Sequence, residues 1–509
     1  MCGIVAVRGS GSEPLAREMV GRLRHRGPDG EGLLRIGDTF LGHRRLAIID
    51  LAGGRQPMVN ERGDLSVVFN GEIYNHLELR RELEARHIFQ SRSDTEVLLH
   101  LYEEEGEDML RRLDGMFAFA IAGSHGLLVA RDPLGIKPLY VGRAPGTTYI
   151  ASELKAFPPV DAIEALPAGH ARLNDGPPWR YALPFPPQPA LRAVDRAEAV
   201  AEIRRRLERA VFKRLMSDVP VGVLLSGGLD SSVIAALMRP RTVALHSFTA
   251  GMAGAPDLDA AREVARCLGT EHHELVYTEE EVRRALPEVI RQLESFDAPL
   301  VRSAIPMYFI CKVAAEHVKV ALSGEGADEL FAGYSYLSRV RGAGTLRGEL
   351  IGITERLQDT NLQRADRMGM AHGLEVRVPF LDLGMVRYAH RLPLDLVRPR
   401  QDRPEKWLLR EACRGLVPDS ILGRRKLKFS EGAGSSGLGA RIAEETIDER
   451  TFGSQKRVPG ALPLRSREEL YYYRIWREVM PPSVSPRLVG RTRDPFAAAG
   501  TEAAGGDAA

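Results

Sequence analysis

From residue 2 to about 175, apolar residues come in short β-rich runs separated by turns: "GIVAV", "TFLGHRRLAIID", "LSVVFNGEIY", "GMFAFAIA", "GLLVARD" and "TYIAS". Runs of this length, bounded by turn residues, predict strands, while "EPLAREMVGRL" and "HLELRRELEARH" predict helices. Together they predict sheets packed face to face or against helices. The stretch "NDGPPWRYALPFPPQPA" follows, and its prolines leave few backbone donors for a ladder or a helix. A domain junction is placed there, dividing the chain into a first domain at 2–180, a proline-rich linker at 181–195 and a second domain at 196–480.

Beyond the junction, Val200, Ile203, Leu207, Val211 and Leu215 recur at helical spacing with arginines and glutamates between them, which predicts a helix with one buried face. The helix runs into "VPVGVLLSGGLDSSVIAALM", an apolar strand, a glycine turn and a second helix, the pattern of a parallel α/β sheet. A second strand and loop follow at "VKVALSGEGADELFAGY". The end of the chain, 481–509, lacks periodicity and is expected to be a disordered tail. No internal repeat is visible, and no apolar run approaches the roughly 18 residues that would span a bilayer.

A chain of 509 residues exceeds what one core supports, in keeping with two large domains. Lys and Arg number 70 against 68 Asp and Glu, a net charge of +2 that supplies no general field for a polyanion, so nucleic acid is not expected as a partner. Cys2, Cys267, Cys311 and Cys413 are scattered without a CxxC pair, which argues against a disulfide framework and a structural zinc site. A soluble, cytoplasmic protein is the expectation, with no membrane partner.

Ser226-Gly227-Gly228-Leu229-Asp230-Ser231-Ser232 lies where a strand hands over to a helix, and N–H groups in such a turn bind phosphate oxygens. It lacks the lysine of the GxxxxGK[ST] loop, so γ-phosphoryl transfer is not implied. Ser323-Gly324-Glu325-Gly326-Ala327-Asp328-Glu329 repeats the arrangement after the second strand. Three carboxylates in five residues need cations or solvent, and magnesium on a triphosphate would supply the cations. Taken alone, the first loop also reads as a plain connector and the second as a solvated acidic turn.

"LLSGGLDSS", "LSGEGADELFAGY" and "LEVRVPFLD" resemble the synthetase domain of the glutamine-hydrolysing asparagine synthetase family, and "MCGIVAV", "RHRGPDGEG", "HRRLAIID", "NGEIYNH" and "SRSDTEVLL" resemble its class II glutaminase domain. The resemblance implies an N-terminal nucleophile αββα sandwich followed by a doubly wound parallel-sheet ATP-pyrophosphatase domain. It implies that Met1 is removed, leaving Cys2 with a thiol nucleophile and an α-amine that titrates near pH 8 and accepts the thiol proton. Asn70 and Gly71 would stabilise the oxyanion, while Arg45, Glu72 and Asp94 hold glutamine.

In the second domain the resemblance implies that an acceptor carboxylate attacks the α-phosphate of ATP, after which ammonia displaces AMP. Leu225, Ser226, Gly227, Gly228, Asp230, Ser231, Ser232, Ser323 and Gly324 would bind ATP. Asp230 and Asp328 would place Mg2+, Glu325 would take a proton from ammonia, and Lys426 in "RRKLKFS" would neutralise phosphate charge. Read without the resemblance, that basic segment is a surface patch. Arg302, Glu329 and Asp366 are assigned to the acceptor. An internal passage for ammonia between the sites is implied too.

Close relatives of the best-known type carry threonines before the arginine, where this chain has Pro299 and Leu300, and asparagine at Asp366. Aspartate is therefore the first expectation and another carboxylate, in cell-wall or specialised metabolism, the second. A β-lactam synthetase-like cyclase and a non-catalytic glutamine-binding protein are the readings of other classes, both weighed against by the presence of Cys2, Asn70, Gly71 and Asp94 beside the adenylation loops. A homodimer is allowed.

Overall fold

The computed structural model describes residues 2–185, 194–340, 342–400, 403–458 and 463–493. The first domain holds two six-stranded antiparallel sheets. In one, Gly3–Gly9 is central between Thr147–Ala151 and Thr39–Arg45; in the other, Gly115–Gly123 lies between Leu65–Ile73 and Gly126–Arg131. Alternation along each strand sets the layers. Ile4, Ala6 and Leu41 of one sheet meet Val68, Ala118, Ala120 and Val129 of the other. Val5 and Val7 point the opposite way, onto Ala16, Met19 and Val20 of the helix Glu13–Arg22. On the far side, Val67, Phe69, Phe117 and Phe119 pack under the helices His76–Leu83 and Glu96–Glu105. Both faces of both sheets are covered, which is why the strands read as continuous apolar runs, and the layers are αββα.

The helix Arg196–Lys213 opens the second domain, capped by the Asp195 carboxylate accepting from the Ala197 N–H at 2.9 Å. Ile203, Leu207 and Val211 are fully buried, while Val200 and Leu215 lie at the margin of that face. Five parallel strands follow in the spatial order Glu271–Val276, His246–Gly251, Val221–Leu224, Val320–Leu322, Glu375–Arg377. Helices cover both faces, so the sheet is doubly wound. The chain builds outward from Val221–Leu224 to one side, then returns to add the other two strands. The crevice where the order reverses lies outside the ends of Val221–Leu224 and Val320–Leu322, the usual place for a ligand in such sheets.

Two expectations change. The helix Ala298–Ala315 is 18 residues long and apolar enough to cross a membrane by length and composition, against the reading that no such run exists. Leu300, Val301, Ile305, Met307, Phe309 and Ile310 pack it into the core of the second domain, which accounts for its composition. Residues 481–493, assigned to the tail, are packed: Val484 and Val489 are buried, and the Thr492 N–H donates to Asp297 Oδ1 at 3.1 Å. Residues 186–193 of the linker and 494–509 of the tail lie outside the described residues.

Candidate active sites

Cys2 immediately precedes the central strand Gly3–Gly9 and is buried. Its backbone nitrogen donates to Asn70 Oδ1 at 2.9 Å, a contact between the two stacked sheets. The same amide's Nδ2 is buried with no hydrogen-bond partner. A buried, unpaired donor beside a thiol is costly unless something occupies it, and an oxyanion is the complementary occupant. Gly71 follows on the same strand, and a Cβ there would run into the Met116 carbonyl oxygen, so only glycine fits. Burial pushes the Cys2 thiol up, opposed in part by the Leu46 backbone N–H and the Arg45 charge.

Around this pair, Asp94 accepts the Ile73 N–H at 2.9 Å, and burial pushes its carboxyl up to about 6. Arg45 donates to the carbonyls of Leu51 at 2.9 Å and Asp50 at 2.7 Å. Among the described residues no carboxylate lies within ion-pair distance of it, which leaves its charge for an incoming anion. Glu72 is buried, raised by that burial and by Glu375, and its Oε1 is 3.1 Å from an Arg377 nitrogen contributed by the second domain.

The parallel sheet opens onto a cavity of 880 Å³. Ser226, Gly228, Asp230 and Ser231 line one wall, and Ser323, Gly324, Glu325, Asp328 and Glu329 another. Gly227 has φ +68°, and a Cβ there would meet the backbone of Ala260, so the turn requires glycine twice over. The helix Leu229–Met238 starts without a side-chain cap, leaving its first N–H groups to a ligand. Ser231 Oγ lies 3.2 Å from both the Ser226 nitrogen and Ser226 Oγ, which ties the loop into a ring of donors.

The two aspartates of these loops share cations. Lys406 Nζ is 2.7 Å from Asp230 Oδ2 and 2.6 Å from Asp328 Oδ1; Lys426 Nζ is 2.7 Å from Asp328 Oδ2. Burial would raise Asp328, but Lys406 and Lys426 outweigh it and hold the carboxyl far below its usual range. In return Asp328 and Asp230 hold the Lys426 ammonium up against burial. Glu329, pushed up to about 7 by burial and Asp328, accepts the Tyr334 hydroxyl at 2.6 Å. Oxygen-only donors at the mouth of an anion-binding turn suit magnesium, so the residues present fit the ion that the resemblance implies.

The glutamine amidotransferase domain family matches residues 1–171, and the asparagine synthase family matches 202–344 and 338–485. "Asparagine synthetase [glutamine-hydrolyzing] 1" of Arabidopsis thaliana is 39% identical over 526 residues, spanning 96% of this chain and 88% of that protein. The chain belongs to the glutamine-hydrolysing asparagine synthetase family. "Asparagine synthetase [glutamine-hydrolyzing] 2" of Lotus japonicus is 39% identical over 96% of this chain and 88% of that protein, and the enzyme of Sandersonia aurantiaca 38% over 96% and 98%.

Within that family frame, two residues assigned to the acceptor stand elsewhere. Arg302 is absent from the cavity wall; its Nε donates to both oxygens of Glu468, at 2.9 and 3.0 Å. Asp366 faces the other domain, accepting from Arg26 at 2.8 and 3.1 Å. Arg26 in turn donates from Nε to the Cys2 carbonyl at 2.9 Å. Opposite faces of one turn of the helix Asn361–Met370 thus reach both sites, because Arg364, two residues from Asp366, pairs with Glu325 in the cavity.

Lys406 and Arg364 are the residues that sequence reasoning missed. Neither stands in a glycine-rich motif, and the available signal was charge: Asp230, Asp328 and Glu325 in one cleft require more cations than Lys426 alone. Lys406 also sits at φ +56°, a left-handed position that an ordinary side chain adopts only where its surroundings hold it.

Proposed function

We propose that this chain is a glutamine-dependent asparagine synthetase that hydrolyses glutamine at Cys2 and amidates the side-chain carboxylate of aspartate through an acyl-adenylate. The observation that carries the reading is the unpartnered Asn70 amide beside Cys2, on the same chain as the paired anion-binding loops. With Met1 removed, the Cys2 amine takes the thiol proton, sulfur attacks the glutamine amide, and the oxyanion falls to Asn70 Nδ2 and the Gly71 N–H. The Cys2 ammonium returns that proton to the amide nitrogen, ammonia leaves with formation of the thioester, and water then releases glutamate and restores the thiol. Arg45 and Asp94 position the carboxylate and amine of glutamine.

In the cleft, the turn 226–232 and the following helix start hold the triphosphate. Asp230 and Asp328 would hold magnesium, which when bound neutralises charge on the departing pyrophosphate. Lys406 and Lys426 exchange their carboxylate contacts for phosphate oxygens as ATP enters. Glu325 takes a proton from ammonia as it attacks the adenylate, and Arg364 keeps that carboxylate in place. Ammonia travels internally, past the helix Asn361–Met370. The free state of all four cysteines fits a reducing, cytoplasmic setting.

With Arg302 committed to Glu468, the acceptor's own carboxylate needs another cation of the wall, which keeps a different carboxylic acid as the second reading. Pyrophosphate release with ammonium as nitrogen donor, measured across a panel of amino and carboxylic acids, decides between them. Aspartate should give the highest kcat/KM; a different acid exceeding it by tenfold or more would replace the first reading with the second.

A further inference from the structure

Away from both sites, on the outer layer of the first domain, the turn after Met58–Val59, the turn after His76–Leu83 and the helix Glu96–Glu105 bring two imidazoles and four carboxylates together. His87 and His100 are 8% and 0% exposed, with ring centroids 4.5 Å apart. Both Nδ1 atoms face one oxygen: Glu103 Oε2 is 3.1 Å from His100 Nδ1 and 3.7 Å from His87 Nδ1. Glu61 Oε1 lies alongside, 3.3 Å from His87 Nδ1.

The far nitrogen of each ring is backed by a further carboxylate. Glu104 Oε1 is 3.0 Å from His87 Nε2, and Glu96 Oε1 is 3.7 Å from His100 Nε2, which is buried and has no hydrogen bond. In a neutral imidazole the shorter carboxylate contact takes the proton, so with His87 neutral the Glu104 contact at 3.0 Å places the proton on Nε2 and turns the Nδ1 lone pair toward Glu61 and Glu103. Three acceptors then converge on one point, an arrangement that repels itself unless a cation stands there.

The charge count agrees. With both imidazoles in the neutral form that a metal requires, four carboxylates meet two arginines, Arg86 at 3.1 Å from Glu104 and Arg62 at 3.9 Å from Glu103, which leaves the cluster two positive charges short. Burial lowers the His100 pKa, but Glu96 and Glu103 outweigh it and raise it, the same demand for positive charge. Two protons or one divalent cation would make up the difference. Ligands at about 2.0–2.1 Å around a tetrahedral ion sit roughly 3.3 Å from each other. The three nitrogen–oxygen separations above are 3.1, 3.3 and 3.7 Å, and the ligand atoms of Glu61, His87 and His100 all lie within 4.8 Å of one another. Each carboxylate is oriented through its other oxygen: Asn60 Nδ2 donates to Glu103 Oε1 at 3.0 Å, and the Ile88 N–H to Glu61 Oε2 at 2.8 Å.

We propose that Glu61, His87, His100 and Glu103 bind one first-row divalent transition metal, zinc matching the two-nitrogen, two-oxygen set best, and that the ion fastens the two turns to the helix. The segment so fastened runs on through Ser91, whose N–H and hydroxyl Glu96 accepts at 2.7 and 2.6 Å, to Asp94. The ion therefore orders the loop that carries the residue expected at the glutamine amine.

A second group, His246, Glu271 and His273, stands on the parallel sheet with Glu271 exposed and serves as the control. Full-length protein stripped with chelator is titrated with Co2+ alone, then with Zn2+, and followed by d–d absorption and thermal unfolding. The expected result is one equivalent of four-coordinate Co2+, displaced by Zn2+, with a zinc-dependent rise in Tm. His87→Gln and, independently, Glu61→Gln remove the absorption and weaken zinc binding by about a hundredfold, whereas His273→Gln keeps both signals. Far-UV circular dichroism checks that each variant is folded, and Glu61→Gln, altered only in an exposed turn, is decisive if His87→Gln is not. Absence of Co2+ binding in the stripped wild-type protein overturns the proposal, as does a signal lost in His273→Gln and kept in Glu61→Gln.

Discussion

Asn70, Glu72 and Asp94 expose 0%, 3% and 4% of their surface, whereas the Asp230 and Asp328 loops open onto a cavity of 880 Å³. The buried site carries polar atoms without partners, Asn70 Nδ2 and Glu72 Oε2, and an Arg45 guanidinium that meets backbone carbonyls but, among the described residues, no carboxylate. In the open site the charges are spent on each other, Asp230 and Asp328 on Lys406 and Lys426, and Glu325 on Arg364. The difference follows from size and solvent. A small, dry pocket can keep donors fixed and unpaired for one transition state. A cleft that admits a triphosphate must hold its charges in pairs and exchange partners when the ligand arrives.

The comparison breaks most sharply on two variants. Cys2→Ala should abolish glutamine hydrolysis and glutamine-dependent synthesis while ammonia-dependent pyrophosphate release stays within about twofold of wild type, since no cleft residue touches Cys2. Asp328→Ala should do the reverse, and parallel loss of both activities in either variant would dissolve the two-site description. Next in size, Asn70→Ala removes a fixed donor and should lower kcat for glutamine hydrolysis by roughly 10²–10³-fold with KM little changed.

Asp366→Ala sharpens the link between the regions. It leaves Arg26 buried with Glu153 as its remaining carboxylate, at 2.6 Å, and frees the guanidinium that holds the Cys2 carbonyl. Unfolding should be easier by about 3 kcal/mol, the range for one partner lost from a buried ion pair. Glutamine hydrolysed per pyrophosphate released should rise, and urea denaturation with a coupled assay reads both.

The smallest effect concerns pH. Asp94, with a carboxyl raised to about 6 by burial, is ionised above that pH and protonated below it. KM for glutamine should therefore climb about tenfold per unit as pH falls below 6, with kcat less affected. The sign for stability is opposite: a raised carboxyl favours the fold at low pH and loses that advantage as pH rises through 6, so Asp94→Asn should stabilise the protein above it.

The same contrast explains what could be read from the chain. The turns 226–232 and 323–329 each occupy one strand end, so local pattern finds them, whereas Cys2, Asn70, Gly71 and Asp94 were legible through the family motifs around them, with Asp94 in the turn before the helix Glu96–Glu105. The cleft's counter-ions, Arg364, Lys406 and Lys426, come from three separated segments, and no local period places Lys406 opposite Asp230, 176 residues away. Arg302 and Asp366 were assigned to the acceptor by position in a motif. The helix Arg467–Val479, which supplies Glu468, and the domain contact of Arg26 decide their real surroundings, and both are long-range packing. The packed segment 481–493 was lost for the same reason, its few apolar residues acting through distant partners.

Transfer of label tests the joining of the two regions most directly. Wild-type protein is given [amide-15N]glutamine, ATP, magnesium and aspartate in the presence of excess unlabelled ammonium at a pH where little of it is free ammonia. The expected product is asparagine carrying 15N in its side-chain amide, formed in step with AMP and pyrophosphate. Asparagine that takes its nitrogen from the unlabelled pool, or glutamate formed with no adenylate product, would contradict it.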